Sequence, residues 1–386
     1  MDRPLIPEYG HRSLAEVLPA AVAALGGPPG SPGDLKLPRS RAVALLLVDG
    51  LGHELLRAHA ADAPFLSSLA DAGPLTVGFP SSTVVSLASL GTGLPPGAHG
   101  LVGTSMRVGR DVLDVLHWRK HAPKGRDLRA VLIPEDIQPH PTVLEQAAEA
   151  CIGVTTVSAA AFRGSGLTRA ALRGGVLRGV YAMGDLAAEM IEAVRRPGLQ
   201  LVYGYHADLD GLGHQHGPGS FPWRLQLRQI DGLAALIAEA MPSDALLLVT
   251  ADHGMVAVDR TFDADTHPDL RRDVAAVGGD GRARHVHARS GAAANVLATW
   301  RSVLGDAAWV VPGEQAIADG WFGPVGPHVV DRIGDVVVAA RGTASVTRTV
   351  AEPVISRLPG QHGSLSAEEQ LVPLLVHPGE SGDSPR

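Results

Sequence analysis

The stretch A-V-A-L-L-L-V-D-G, residues 42–50, decides the fold. Seven apolar residues, Ala42–Val48, run without alternation, which predicts a strand buried on both faces, as in a parallel sheet. A carboxylate, Asp49, and a glycine follow at once. The same pattern recurs downstream. Ala245–Thr250 is a second continuous apolar run, residues 199–205 a third, and 154–158 a shorter one. Helical spacing fills 13–25, 54–60, 63–72 and 223–241 between them. Apolar strands alternating with helices predict an α/β fold, a mostly parallel sheet with helices on both faces. Ligand sites in such sheets gather at the carboxyl ends of the strands.

The remaining segments set the expected organisation. A Gly/Pro-rich linker occupies 26–33. Residues 256–341 break the pattern, being rich in Gly, Asp, Arg and His, with short strands at 309–311 and Val336–Ala340. They read as a small cap subdomain inserted into a core formed by 1–255 and 342–378. Within this insert, His285 and His287 flank Val286 as on a strand and are expected on one side of it. The run 371–376 returns to the main sheet as an edge strand, because Pro373 cannot donate to a ladder. Residues 379–386 read as a disordered tail.

Composition narrows the class. The 386 residues are 45% apolar and 19% charged, which suits a folded core. A net charge of -7 gives no general drive toward nucleic acid polymers or anionic membranes. It leaves room for a small anionic substrate if bound metal supplies positive charge. The single cysteine, Cys151, excludes an internal disulfide and a multi-cysteine metal site. The first ten residues lack a basic stretch followed by an apolar run, and no segment is long enough to span a bilayer, so a cytoplasmic protein is expected. Oligomeric state is not legible.

Four segments put metal-type ligands at or near strand ends. L-L-L-V-D-G (45–50) supplies Asp49, and L-D-G-L-G-H (209–214) supplies Asp210 and His214. L-L-V-T-A-D-H-G-M (247–255) supplies Asp252 and His253, and G-Q-H-G (360–363) supplies His362. Singly, each has an ordinary reading as a helix cap or polar loop. Jointly, three Asp and three His flanked by glycines predict a two-metal site. Mixed carboxylate and imidazole favours two zinc ions over magnesium or calcium, while manganese and iron accept the same groups.

A fifth segment, G-F-P-S-S-T-V-V-S-L-A-S-L-G-T-G-L-P-P-G-A-H-G (78–100), places Thr83 at the predicted start of a helix. A threonine hydroxyl needs a base or a metal to become a nucleophile. Backbone N–H groups at the helix start suit a phosphate oxygen.

Together the five segments, in this order from Asp49 to His362, resemble the type I phosphodiesterase/nucleotide pyrophosphatase family of the alkaline phosphatase superfamily. The resemblance implies an alkaline phosphatase-like fold and hydrolysis of phosphodiester or nucleotide pyrophosphate bonds through a covalent phospho-threonine. It implies Thr83, in F-P-x-x-T before T-G-L-x-P-x-x-H-G, as nucleophile. It assigns Asp49, Thr83, Asp252 and His253 to one zinc and Asp210, His214 and His362 to the other. The implied partner is a small phosphate ester, with a nucleotide among the options.

Two departures bear on substrate. Ser82 stands where eukaryotic-type members carry Lys, and Ser86 stands where they carry an Asn that donates to a phosphate oxygen. Ser86 keeps a hydroxyl and is expected to take over that donation from a shorter arm. Tyr205, His117 and Trp118 are the candidates for an aromatic nucleobase slot. Within the superfamily, phosphonoacetate hydrolysis and monoester hydrolysis stand as alternatives. A sulfatase lacks its C/S-x-P-x-R context, and a phosphoglycerate-type mutase expects a Ser nucleophile followed by a large insertion. Outside the superfamily, a non-catalytic binding protein is disfavoured by the full ligand set. No G-x-S-x-G elbow follows a strand, and no G-x-G-x-x-G follows Ala42–Val48, which disfavours a serine hydrolase and a dinucleotide enzyme.

Overall fold

The computed structural model of the chain describes residues 3–28 and 33–379. Half of the linker (29–32) and most of the tail (380–386) lie outside the described residues. The four apolar runs form neighbouring strands of one seven-stranded sheet. Its order is Ala70–Asp71, Leu374–Pro378, Ala245–Thr250, Ala42–Val48, Gln200–His206, Gly153–Ala159 and Val176–Val180. Ala42–Val48 sits centrally and pairs in parallel on both sides, with Ala42 opposite Ala245 and also opposite Gln200. All seven of its residues are buried, as the absence of alternation requires. The five strands on this side of the sheet are parallel, and their carboxyl ends share one edge. Helices Met183–Val194 and Phe221–Glu239 pack on the sheet in one group, while Val17–Ala24 and Thr83–Thr92 group with Val143–Glu149, which packs on strand Gly153–Ala159. Among the described residues no helix is long and apolar enough to cross a membrane.

The carboxyl-terminal strand differs from its expected form. Pro373 separates two short strands. Leu371–Val372 pairs with Leu75–Thr76, while Leu374–Pro378 runs antiparallel to Ala245–Thr250 in the main sheet. Nor is that strand the outermost one, because Ala70–Asp71 pairs along its free side. Those two residues were expected in a helix reaching position 72; the helix ends at Ser68, and the chain turns extended.

A second, four-stranded antiparallel sheet contains Val274–Asp280, Ala283–Ala288, Val336–Ala340 and Ala308–Pro312 in that order. It has its own apolar cluster, in which Val286, Val336 and Val338 meet Trp300 and Leu304 of helix Ala293–Leu304. Ala344–Thr347 pairs in parallel with Arg260–Asp263 in a separate two-stranded sheet. His285 is buried and spent on backbone: Nε2 donates to the Val102 carbonyl at 2.8 Å, and Nδ1 accepts from Gly334 N–H at 3.2 Å. A further hairpin, Ser105–Val108 with Asp111–Asp114 and then Arg119–Lys120, was not legible beforehand.

Candidate metal centre

Three of the five strands that end at the shared edge, Ala42–Val48, Gln200–His206 and Ala245–Thr250, lead into ligand-type side chains. Asp49 directly follows Val48, and its N–H still continues the ladder to the His206 carbonyl at 2.9 Å. Gly50 then turns with φ +76°, and a Cβ there would lie 3.0 Å from Asp210 Cα. Only a residue without a side chain lets the Asp49 and Asp210 segments approach this closely. Helix Asp208–His216 follows strand Gln200–His206, and the spacing of four puts Asp210 and His214 on one face of it. Asp252 and His253 lie just beyond Thr250. His362 follows Gly360–Gln361, which pairs with Val256–Ala257.

The structure brings all six ligand-type side chains into two groups. Asp49, Asp252 and His253 form one set of donor atoms within 4.8 Å of one another, and Asp210, His214 and His362 form the other. His253 Nε2 lies 3.4 Å from Asp49 Oδ1 and 3.5 Å from Asp252 Oδ2. His214 Nε2 lies 3.4 Å and His362 Nε2 3.9 Å from the Asp210 carboxylate. The two sets adjoin, since the His253 and His362 rings stack at 3.6 Å between centroids. Thr83 begins helix Thr83–Thr92, and its Oγ1 lies 3.3 Å from His253 Nε2.

The residues fit metal ions on two independent grounds. First, Asp49 Oδ1, Asp252 Oδ2 and Asp210 Oδ1 are buried carboxylate oxygens without a hydrogen-bond partner. A buried charged acceptor left unmade is costly, and a cation resolves it. Second, all three imidazoles face a backbone carbonyl through Nδ1: Gly360 for His214 at 2.7 Å, Gly254 for His253 at 3.0 Å, and Ser81 for His362 at 2.9 Å. A carbonyl only accepts, so each Nδ1 carries the hydrogen and each Nε2 turns a lone pair toward the cluster. This is the arrangement of metal-ligating histidines.

The electrostatics agree. Burial, then the Asp252 and Asp210 charges, push the Asp49 carboxyl well above the usual carboxylate range. Burial also raises Asp252, with His253 opposing and Asp210 reinforcing. Burial, then the His253 and His214 rings, push His362 well below the usual imidazole range. Without cations the cluster resists its own ionisation.

Other expected roles change. Ser86 does not face the site: it is fully buried, and its Oγ donates to the Asp252 carbonyl at 2.6 Å. Its single proton is spent on bracing the Asp252 segment, which corrects the expectation of a phosphate donor. Trp118 is also excluded from a base slot, being buried with its Nε1–H donating to the Leu132 carbonyl at 2.6 Å. Tyr205 donates its hydroxyl to Asp49 Oδ2. Its ring meets Phe162 at 6.0 Å and 62°. Phe162 escaped the sequence reading; it lies just after strand Gly153–Ala159, and the strand-end rule that found the aspartates was the signal for it. His117 is mostly exposed and pairs with Asp114 at 2.9 Å.

Two cavities, each about 460 Å³, meet at Thr83 and Asp210. One passes His214 and His362 toward Asp280, His121 and Glu352. The other passes Asp49 and Tyr205 toward Phe162, Arg119 and Arg129.

Fold and paired donor sets together define an alkaline phosphatase-like α/β protein. The family described as type I phosphodiesterase/nucleotide pyrophosphatase matches residues 43–365, and the chain belongs to it. Among solved structures, murine ectonucleotide pyrophosphatase/phosphodiesterase 5 is similar at 18% identity over 87% of each chain, with a TM-score of 0.65. Phosphonoacetate hydrolase from Sinorhizobium meliloti 1021 is similar at 18% identity, covering 91% of this chain and 93% of that one, with a TM-score of 0.64. Among curated proteins, GPI ethanolamine phosphate transferase 3 of Eremothecium gossypii is 36% identical over 55 residues. That match takes in 14% of this chain and spans about 5% of the relative's length.

Proposed function

We propose that the chain hydrolyses phosphodiester or nucleotide pyrophosphate bonds, with Thr83 as nucleophile and two zinc ions as cofactors. The observation that carries this reading is the Thr83 hydroxyl beside the first donor set, 3.3 Å from His253 Nε2, at the point where two cavities converge. A phosphate ester with two organic arms fills both cavities; a monoester or phosphonoacetate fills only one. Asp49, Asp252, His253 and the Thr83 hydroxyl would hold one ion, and Asp210, His214 and His362 the other. Bound zinc would make the Thr83 hydroxyl more acidic and offset phosphate charge.

The chain's own groups supply the rest. Thr83 Oγ attacks phosphorus and one arm departs as an alcohol or phosphate. The start of helix Thr83–Thr92 offers backbone N–H groups to a phosphoryl oxygen. Water then cleaves the threonyl phosphate. The Tyr205–Phe162 wall of one cavity suits an aromatic arm such as a nucleobase. The expected lobe of residues 256–341 contributes Gly279, Asp280 and Gly281 to the other cavity, which supports a part for it in substrate choice.

A substrate panel on the zinc-loaded protein tests the proposal: a nitrophenyl nucleotide diester, a nitrophenyl monoester and phosphonoacetate. The diester should show the highest kcat/KM. Faster turnover of either one-armed substrate would defeat the diester reading.

A further inference from the structure

The side chains that line the cavity on the His214–His362 side mostly accept hydrogen bonds. Thr104 Oγ1 donates to Asp280 Oδ1, and Ser105 Oγ donates to the Gly279 carbonyl at 3.0 Å. Gln361 spends its amide hydrogens on the Ile355 and Leu358 carbonyls. Among the described residues, no Lys or Arg lines this cavity. What these side chains leave for a ligand is mainly lone pairs.

The best-placed of these belongs to His121. Its side chain is nine-tenths buried, and Nε2 lies 3.1 Å from Glu352 Oε1. Glu352 is gripped in turn by both terminal nitrogens of Arg284, at 3.0 and 2.7 Å. Arg284 is buried at 1% exposure, and its Nε donates to the Val346 carbonyl at 2.8 Å. A guanidinium fork on a carboxylate is a stiff pairing, so the lobe sheet fixes Glu352 and Glu352 fixes the ring. The carboxylate takes the Nε2 hydrogen. Nδ1 has no hydrogen-bond partner among the described residues, and the ring lines the cavity, so a neutral ring held this way has its acceptor free. The Glu352 charge is matched by Arg284, and the Asp280 carboxylate is occupied by the Thr104 hydroxyl and N–H.

We propose that this cavity selects a neutral hydroxylated arm, a polyol or sugar on one side of the phosphodiester, and that His121 is the residue that reads its hydroxyl. The assignment rests on the two-armed reading above. Beyond the metal ligands, an anionic arm such as a polyphosphate meets no Lys or Arg here among the described residues. A plain alkyl arm leaves the Nδ1 acceptor desolvated and unmade, which is how a site built for a hydroxyl rejects the analogue lacking it.

The test compares nitrophenyl phosphodiesters whose second arm is glyceryl, propyl or aminoethyl. In the wild-type zinc-loaded protein, the glyceryl-to-propyl ratio of kcat/KM should be roughly five- to tenfold, the worth of one hydrogen bond. His121→Phe fills the same space without the acceptor, and the ratio should fall to about one. His121→Gln keeps both a donor for Glu352 and a carbonyl acceptor, and should restore part of the ratio. A wild-type ratio near one overturns the proposal, and needs no variant. Survival of the full ratio in folded His121→Phe overturns it too, as does an aminoethyl diester that outruns the glyceryl one. Should only monoesters be turned over, the two-armed reading falls, and this proposal is then judged by the same ratio between glyceryl and propyl phosphate.

Discussion

Ser86→Ala separates two accounts of one hydroxyl. Ser86 is fully buried and donates to the Asp252 carbonyl at 2.6 Å. Removing the hydroxyl leaves a buried backbone acceptor without this partner, at a cost of about 1–3 kcal/mol. An unfolding entropy of about 2.1 cal/mol/K per residue gives this chain roughly 0.8 kcal/mol/K, so Tm should fall by about 1–4 °C. Asp252 belongs to the first donor set, so zinc affinity at that set should weaken with Tm. The assays are differential scanning calorimetry of the metal-free protein and zinc titration by calorimetry. The order of preference across the substrate panel should stay the same. If instead Ser86 donates to the phosphate, the alanine variant keeps its Tm and zinc affinity while KM rises by about tenfold. That outcome would refute the bracing argument.

Two further perturbations follow from the same contacts. Elemental analysis should find two zinc ions per chain, and Asp210→Asn should reduce this to one. The gain in Tm on adding zinc should be larger at pH 7 than at pH 5. With their folded pKa values raised, Asp49 and Asp252 stabilise the metal-free chain below their unfolded value of about 4, and that contribution is lost as pH rises. Zinc binds the ionised forms and removes the penalty, whereas protons compete with it at the lower pH; an equal gain at both pH values would contradict this. Arg282→Ala should cost about 3–5 kcal/mol, because it strands the fully buried Glu369 that its guanidinium holds at 2.8 Å through two nitrogens. Glu369 also accepts from Ser364 N–H, and its carbonyl accepts from Gly254 N–H, so zinc affinity should fall along with stability, as read by denaturant unfolding and zinc titration.

The parallel core was legible because burial on both faces forces unbroken apolar runs, and Ala42–Val48 and Ala245–Thr250 show nothing else. Asp49, Asp252 and His253 were legible for a related reason: polar groups immediately after such strands arrive at one edge whatever the loops do, whereas Asp210, His214 and His362 needed their Gly-flanked motifs. Two-residue strands such as Ala70–Asp71 are too short to carry a period, and pairing alone defines them. Side-chain direction was the harder limit. Ser86 lies one helical turn after Thr83, and only the packed position of the Asp252 carbonyl decides what its hydroxyl meets. Trp118 reads as an aromatic beside His117, yet the backbone turns it inward at φ 55°. The Arg284–Glu352–His121 chain joins residues far apart in sequence, and no local pattern marks it.

The central claim is that Thr83 carries the phosphoryl group between the two donor sets. Brief incubation of the zinc-loaded protein with a nitrophenyl nucleotide diester, acid quench and mass spectrometry of the Thr83 peptide tests it most directly. A phosphate-ester adduct on Thr83 is expected, absent from Thr83→Ala, which should retain zinc through the other three ligands of its set yet lose turnover by orders of magnitude. Wild-type-like turnover in Thr83→Ala would contradict the account.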